Sequence, residues 1–155
     1  MPRSSDAPAV VVFPPLLLGG SMLLGALLNW LYPLPVLPTM LAWIAGVTLI
    51  VLSAALGFRA HAAFDRVGTN ISPHQPTLAI ATDGPYRRTR NPLYVAGLGV
   101  YLGVACLVNG LAPLLLFVPV AGVLHWGVVL REERYLTAKF GEPYRQYLAR
   151  VRRWL

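Results

Sequence analysis

The sequence predicts an all-α integral membrane protein of about four transmembrane helices plus cytoplasmic interfacial helices. Three observations predict it. Of 155 residues, 56% are hydrophobic and 12% are charged, about half the charged share of an ordinary soluble domain (about 25%). The apolar residues gather into four runs near the length a bilayer requires, roughly 20 residues. Every charged residue lies outside those runs.

The runs span about 10–31, 36–58, 92–108 and 111–130 within a single domain, 1–155. The first carries Pro14-Pro15 near its start and the fourth carries Pro119. The first run is too long for the apolar core of a signal peptide, and only Arg3 precedes it, so it reads as a retained helix. The third is the shortest, a shortfall that tilt or local bilayer thinning absorbs. Gly57 to Val67 can continue the second helix beyond the membrane surface. Residues 68–76 (GTNISPHQP) read as a loop, and Thr82-Asp83-Gly84-Pro85 as a turn. Pro92 suits the first turn of the third helix. The fourth helix runs on through Leu136 to Phe140 and ends at Gly141. A short amphipathic helix, about 143–151, then suits the interface, with Trp154 and several arginines at headgroup level.

Charge sets the orientation. Residues 1–9 hold Arg3 and Asp6. Residues 59–92 hold Arg59, Arg66, Arg87, Arg88 and Arg90 with Asp65 and Asp83. Residues 131–155 hold Arg131, Arg134, Lys139, Arg145, Arg150, Arg152 and Arg153 with Glu132, Glu133 and Glu142. Four spans put all three blocks on one side, and their Lys and Arg mark it as cytoplasmic. The expected location is a bacterial cytoplasmic membrane with both termini inside. The net charge of +7 is therefore a topology signal. It does not indicate nucleic-acid binding, because no soluble domain remains to carry that function. The lone cysteine, Cys106, sits in an apolar run as a buried structural thiol and excludes both a disulfide framework and a cysteine metal site.

Two motifs lie where helices meet this charged side. One is Gly84-Pro85-Tyr86-Arg87-Arg88-Thr89-Arg90-Asn91-Pro92-Leu93-Tyr94. The other is Arg131-Glu132-Glu133-Arg134, followed by Phe140-Gly141, Tyr144 and Tyr147. Carboxylates at Glu132 and Glu133 suit a ribose diol or an ammonium group. An arginine fork suits a carboxylate. Tyr86 and Tyr94 suit a sulfonium or an adenine ring. S-adenosyl-L-methionine carries all of these groups, and a nucleotide cofactor carries several.

The ordered pattern G-P-Y-x-x-x-R-N-P-x-Y-x-x-G, then R-E-E, then F-G-x-x-Y-x-x-Y and a terminal V-x-R, resembles the integral membrane methyltransferases. That superfamily includes isoprenylcysteine carboxyl methyltransferases and phospholipid methyltransferases. The likeness covers about 70–155, the expected cofactor-binding region. It implies S-adenosyl-L-methionine-dependent methyl transfer to a lipid-like or hydrophobic acceptor at the membrane interface, with membrane lipids as surroundings. By the resemblance, the backbone of Leu78, Ala79, Ile80 and Ala81 contacts the cofactor. So do Tyr86, Arg90, the Asn91-Pro92-Leu93-Tyr94 segment, Glu132 and Glu133. Asn91 stands where much of the superfamily has histidine. Val151-Arg152-Arg153 replaces a V-P-R ending, and Gly46-Val47-Thr48 is the nearest approach to a G-x-G pattern of the phospholipid enzymes. An arginine that contacts substrate in the isoprenylcysteine enzymes has Val128 at its place, with Arg131 as the nearest substitute.

The implied chemistry is an in-line displacement in a water-poor site, with positioning supplying much of the rate. His125 lies about two helical turns before Glu132 on a similar face. It is the candidate polar lining of an acceptor channel, and Arg131 and His125 are the two candidate catalytic residues. A prenylated cysteine, a phospholipid amine, a fatty acid and a small hydrophobic thiol all fit as acceptors.

Plainer readings stand beside these. Glu132-Glu133 reads as a solvated helix end without the resemblance. Asn91-Pro92 is also a helix start. Gly99 and Gly103 form G-x-x-x-G, a helix-packing motif within an apolar span. A buried hydrogen bond is an equal reading of His125. His61 and Asp65 have ligand spacing but no third ligand, so no metal is expected. Asn70-Ile71-Ser72 matches a glycosylation sequon that a cytoplasmic loop leaves idle. Two rival functions are an NADPH-dependent membrane reductase related to sterol reductases and a non-enzymatic membrane scaffold.

Overall fold

The computed structural model describes residues 6–70 and 75–155. Ile71 and Ser72 of the sequon, Pro73 and His74 of the predicted loop, and Arg3 lie outside the described residues. The described residues form six α-helices, a 3₁₀ turn and a π-helical turn, without strands.

Helix α1 (Pro14–Leu31) opens on the proline pair, whose missing N–H groups cost nothing in a first turn. It starts four residues after the apolar run does. Phe13, the residue before proline, is held extended (φ −73°, ψ 115°). Helix α2 (Thr39–Val67) ends at Gly68, which takes the left-handed conformation (φ 64°) of a helix C-terminus. The 3₁₀ turn (Gly84–Arg87) precedes α3 (Pro92–Val108). Asn109 (φ 49°) ends α3, and its side-chain oxygen accepts hydrogen bonds from the Val36 and Leu37 N–H groups. Helix α4 (Leu111–Leu124) then passes through a π-helical turn (His125–Val129) into α5 (Leu130–Phe140). Gly141 (φ 61°) turns the chain into the amphipathic α6 (Glu142–Arg150).

Three helical stretches are long and apolar enough to cross a membrane: α1, α2 and the continuous Leu111–Phe140 stretch. The shorter α3 has 17 residues and is just as apolar. Leu23, Met40 and Phe58 are each at least 75% exposed, a solvent-facing cost in water and a match for lipid. Helix α3 packs most extensively on α2. A Cβ on Gly103 would lie 2.6 Å from Ile50 and 2.9 Å from the Gly46 carbonyl, and one on Gly99 would run into Ser53. The G-x-x-x-G pair and Gly46 therefore serve close helix approach. Cys106 is half-buried rather than fully enclosed.

At 1.5 Å per residue, the 29 residues of α2 and the 30 of Leu111–Phe140 reach about 45 Å, against a hydrocarbon core of about 30 Å. Their charged ends, about nine residues each by this arithmetic, overhang the apolar layer at the same end of the bundle. The 3₁₀ turn packs on the α2 overhang, and α6 folds back on α5. Residues 6–13 reach the same end: Lys139 donates to the Asp6 carboxylate at 2.6 Å, and Val11 N–H to the Gly127 carbonyl at 3.0 Å.

Candidate cofactor and acceptor site

A cavity of about 570 Å³ lies between the two overhangs, within the size range of small-molecule sites. Its walls bring together Ala79, Ile80, Ala81, Tyr86, Arg90, Asn91, Leu93, Tyr94, Glu132 and Glu133. These come from three separated stretches of sequence. The α2 overhang supplies Phe64, and small residues Ala60 and Ala63 let Tyr86 and Ala81 pack down against it.

The adjacent glutamates have different surroundings. Glu133 is gripped by two guanidiniums: Arg153 donates through Nε and Nη2 at 2.9 Å each, and Arg90 Nη1 lies 3.0 Å away. The Arg90 and Glu133 side chains are each only 12% exposed. Glu132 has no cationic partner among the described residues. Its carboxylate accepts one hydrogen bond, from Tyr94 Oη at 2.5 Å. Arg90, though committed to Glu133 at one end, keeps its buried Nε–H without a partner among the described residues. The site thus offers one carboxyl group without a counter-charge and one buried donor without an acceptor among the described residues.

Tyrosine rings form much of the remaining wall. Tyr86 stacks at a tilt on Phe64, with centroids 5.2 Å apart, and Tyr144 sits 5.9 Å from Tyr147. Tyr147 Oη donates to the Tyr86 carbonyl at 2.8 Å. Burial raises the Tyr86, Tyr144 and Tyr147 phenols above their ordinary value, and the neighbouring carboxylates Glu132 and Glu133 raise Tyr86 and Tyr144 further. These hydroxyls stay neutral at any physiological pH.

Arg152 and Arg153 lock the first motif in place. Arg90 N–H donates to the Arg152 carbonyl at 2.9 Å, and Asn91 Nδ2 to the Arg153 carbonyl at 2.9 Å. Asn91 therefore ties the start of α3 to the V-x-R segment through its amide while also lining the cavity. Leu78 and Ala79 give their amides to Thr69 Oγ1 at 2.9 and 3.3 Å. Leu78 is 62% exposed and, like Pro92 at the buried start of α3, does not line the cavity.

The two candidate catalytic residues lie elsewhere. Arg131 is exposed and donates to the Ala9 carbonyl at 2.9 Å, holding residues 6–13 against α5. His125 accepts a hydrogen bond at Nδ1 from Trp154 Nε1 at 3.2 Å and packs between Trp126 and Trp154. Neither lines the cavity. The expectation that His125 shares the face of Glu132 assumed unbroken α-helix. The π-helical turn at His125–Val129 has more residues per turn, so it rotates the two apart by about a quarter turn.

Sequence reasoning missed Phe13, Pro14, Pro15 and Leu18 at the start of α1, and Phe64, Tyr135 and Leu136 on the overhangs. Tyr144 and Tyr147 stood in the second motif without a role. Phe64 continues the α2 apolar pattern and could have been found from it. Nothing local marks residues 13–18, because their place in the site arises from the α1–α3 crossing.

Fold and cavity together define a helical membrane protein with a ligand-sized chamber where the bundle meets its charged end. The model of the phospholipid methyltransferase family matches residues 41–143. The chain belongs to that family. A stretch of 27 residues is 59% identical to an uncharacterized protein of Haemophilus influenzae, covering 17% of this chain and 43% of that one. The chain thus spans less than half the length of that relative. No solved structure matches the chain.

Proposed function

We propose that the protein uses S-adenosyl-L-methionine to methylate an amphiphilic acceptor that reaches the cavity from the bilayer. The observation that carries this reading is the contrast between the two glutamates. A carboxylate held in a cavity wall without a cation is costly unless a ligand supplies the positive charge, and Glu132 is in that position.

The residues present fit the methyl donor. Glu132 would take its ammonium group, and the unpartnered Nε–H of Arg90 its carboxylate. The faces of Tyr86, Tyr94 and Tyr144 suit its sulfonium and adenine. When bound, the donor supplies a methyl group on positively charged sulfur; an acceptor lone pair forms the new bond to carbon while the carbon–sulfur bond breaks and its electron pair stays on sulfur. The chain's own work is to hold the donor, exclude water with its aromatic wall and neutralise the site with Glu132. Arg90 and Arg153 are both committed to Glu133.

We place the charged end of the bundle, with both chain ends, on the cytoplasmic side of a bacterial membrane, because Lys and Arg gather there. The test is calorimetric titration of the detergent-purified protein with S-adenosyl-L-methionine, S-adenosylhomocysteine and NADPH. Binding of the first two alone is expected. Binding of NADPH alone sinks the methyltransferase cofactor reading, and binding of none by a folded protein favours a scaffold.

A further inference from the structure

A groove of about 560 Å³ opens between α5 and α6. Both helices serve the groove and the cavity at once. Along α5, Leu130, Arg134 and Thr137 follow the three-and-four spacing of one helix face and line the groove, whereas Glu132, Tyr135 and Leu136 line the cavity from another face. Along α6, Arg145 and Leu148 line the groove, and Tyr144 and Tyr147 line the cavity. Glu133 stands between the two spaces and lines both. We propose that the groove is a binding site for the headgroup of an anionic phospholipid, with Arg134 and Arg145 as the ligands of its phosphate. The proposal does not depend on what the cavity binds.

The groove is lined by three arginines, Arg134, Arg145 and Arg153, against one carboxylate, Glu133. That carboxylate is already met by Arg153 at 2.9 Å and, from the cavity side, by Arg90 at 3.0 Å, so it opposes an incoming anion weakly. Arg134 donates through Nε to the Leu130 carbonyl at 3.2 Å, and its two Nη groups have no partner among the described residues. Arg145 pairs with Glu142 at 3.0 Å, but both side chains are more than half exposed, and so hydrated a pair yields readily to a better acceptor. A guanidinium suits phosphate because its planar fork donates two parallel hydrogen bonds. The level of the groove selects a lipid over a soluble anion. The last apolar run ends at Leu130, and the first charge after it is Arg131. Trp126, 67% exposed, marks the boundary about one turn earlier, as interfacial tryptophans do. The groove therefore opens at headgroup depth, where a basic pocket draws anionic headgroups in preference to zwitterionic ones. Leu130 and Leu148, both half-buried, give it an apolar lip for the glycerol and the first acyl carbons.

The test uses the full chain in neutral detergent micelles, with bound lipid measured by native mass spectrometry after addition of dioleoylphosphatidylglycerol or dioleoylphosphatidylcholine. The unaltered protein is expected to retain the anionic lipid about fivefold better or more. Arg134→Gln combined with Arg145→Gln is expected to weaken phosphatidylglycerol binding about 10- to 30-fold, the loss of two arginine contacts to an anionic headgroup. Arg134→Lys combined with Arg145→Lys keeps the charge and is expected to stay within about threefold of the parent. Arg87→Gln combined with Arg88→Gln removes the same charge from exposed residues that line neither space, and is expected to change binding by less than about twofold. Equal retention of the two lipids, or equal losses from the two glutamine pairs, overturns the site in favour of diffuse surface attraction. Displacement of bound phosphatidylglycerol by a modest excess of inorganic phosphate overturns the lipid assignment in favour of a soluble anion. The thermal-unfolding midpoint carries the same decision if the paired glutamine variant fails to fold. It is expected to rise with phosphatidylglycerol and not with phosphatidylcholine in the parent, and to lose most of that rise in Arg134→Gln alone; an undiminished rise in that variant overturns the site.

Discussion

Replacing each of the adjacent glutamates with glutamine should separate binding from stability. Glu132→Gln keeps the side chain's shape and its ability to accept the Tyr94 hydrogen bond, but removes a charge that has no cation beside it. Stability should hold or rise slightly, because a poorly compensated carboxylate has been removed from the cavity wall. Affinity for S-adenosylhomocysteine, which keeps the ammonium group, should fall by about 10- to 150-fold. That is the loss of one charge-assisted contact worth about 1.5–3 kcal/mol. Glu133→Gln does the reverse. It breaks three contacts of 2.9–3.0 Å and leaves Arg90, 12% exposed, without its counter-charge. Breaking a buried pair costs about 3–5 kcal/mol. The lower figure applies here, because Arg153 is 36% exposed and partly screened. The assay is a thermal-unfolding midpoint and a calorimetric titration on each purified variant. Glu133→Gln should lower the midpoint by several degrees, and Glu132→Gln should not. Equal destabilisation by both, or undiminished affinity in Glu132→Gln, refutes the division of roles.

Burial holds the phenols of Tyr86, Tyr144 and Tyr147 above the ordinary value of 10. Their contribution to stability is therefore complete below that pH and lost above it, as unfolded tyrosines ionise first. The unfolding midpoint should be flat below about pH 9 and fall toward about pH 11, less steeply in Tyr86→Phe; a flat curve throughout contradicts this. Gly99→Val should cost about 3 kcal/mol or prevent folding, since its side chain meets Ser53 at the α2–α3 crossing. Gly19→Ala, with open space around it inside α1, should raise stability in thermal unfolding slightly, by up to about 1 kcal/mol. In a Cys106→Ser background, Thr137→Cys should resist an impermeant thiol reagent added to intact bacteria and react after permeabilisation. Labelling of intact cells inverts the orientation.

The helical membrane fold was legible because lipid imposes a one-dimensional rule: apolar runs of bilayer length separated by charge. The ends of the helices were legible where a single residue decides them. Gly68 and Gly141 stop α2 and α5 through positive φ, and Pro92 starts α3. Much of the polar wall was legible as two motifs, since Tyr86, Arg90, Tyr94, Glu132 and Glu133 sit at helix ends that the charge partition had already placed in one layer. What those motifs left open was which glutamate faces a ligand. That depends on Arg153, 20 residues downstream, and no local pattern connects the two.

The two candidate residues that do not line the cavity lie off it for different reasons. His125 is expected there from 3.6 residues per turn counted back from Glu132, an argument that assumes one uniform helix. The π-helical turn breaks that assumption at His125–Val129. Arg131 is expected there only as the nearest substitute for an arginine of the isoprenylcysteine enzymes, and in regular α5 it points about 100° away from its neighbour Glu132. Glu132 then faces the cavity, while His125 faces Trp154 and Arg131 faces residues 6–13. The same turn places the Gly127 carbonyl where Val11 N–H meets it at 3.0 Å. With the Arg131–Ala9 contact, this fixes residues 6–13 along α5 and sets the start of α1, with Phe13 and Leu18, beside the cavity. A local change in helical pitch thus turns His125 away from the cavity and brings α1 to it. A straight-helix reading could therefore find the polar wall and still miss the apolar one.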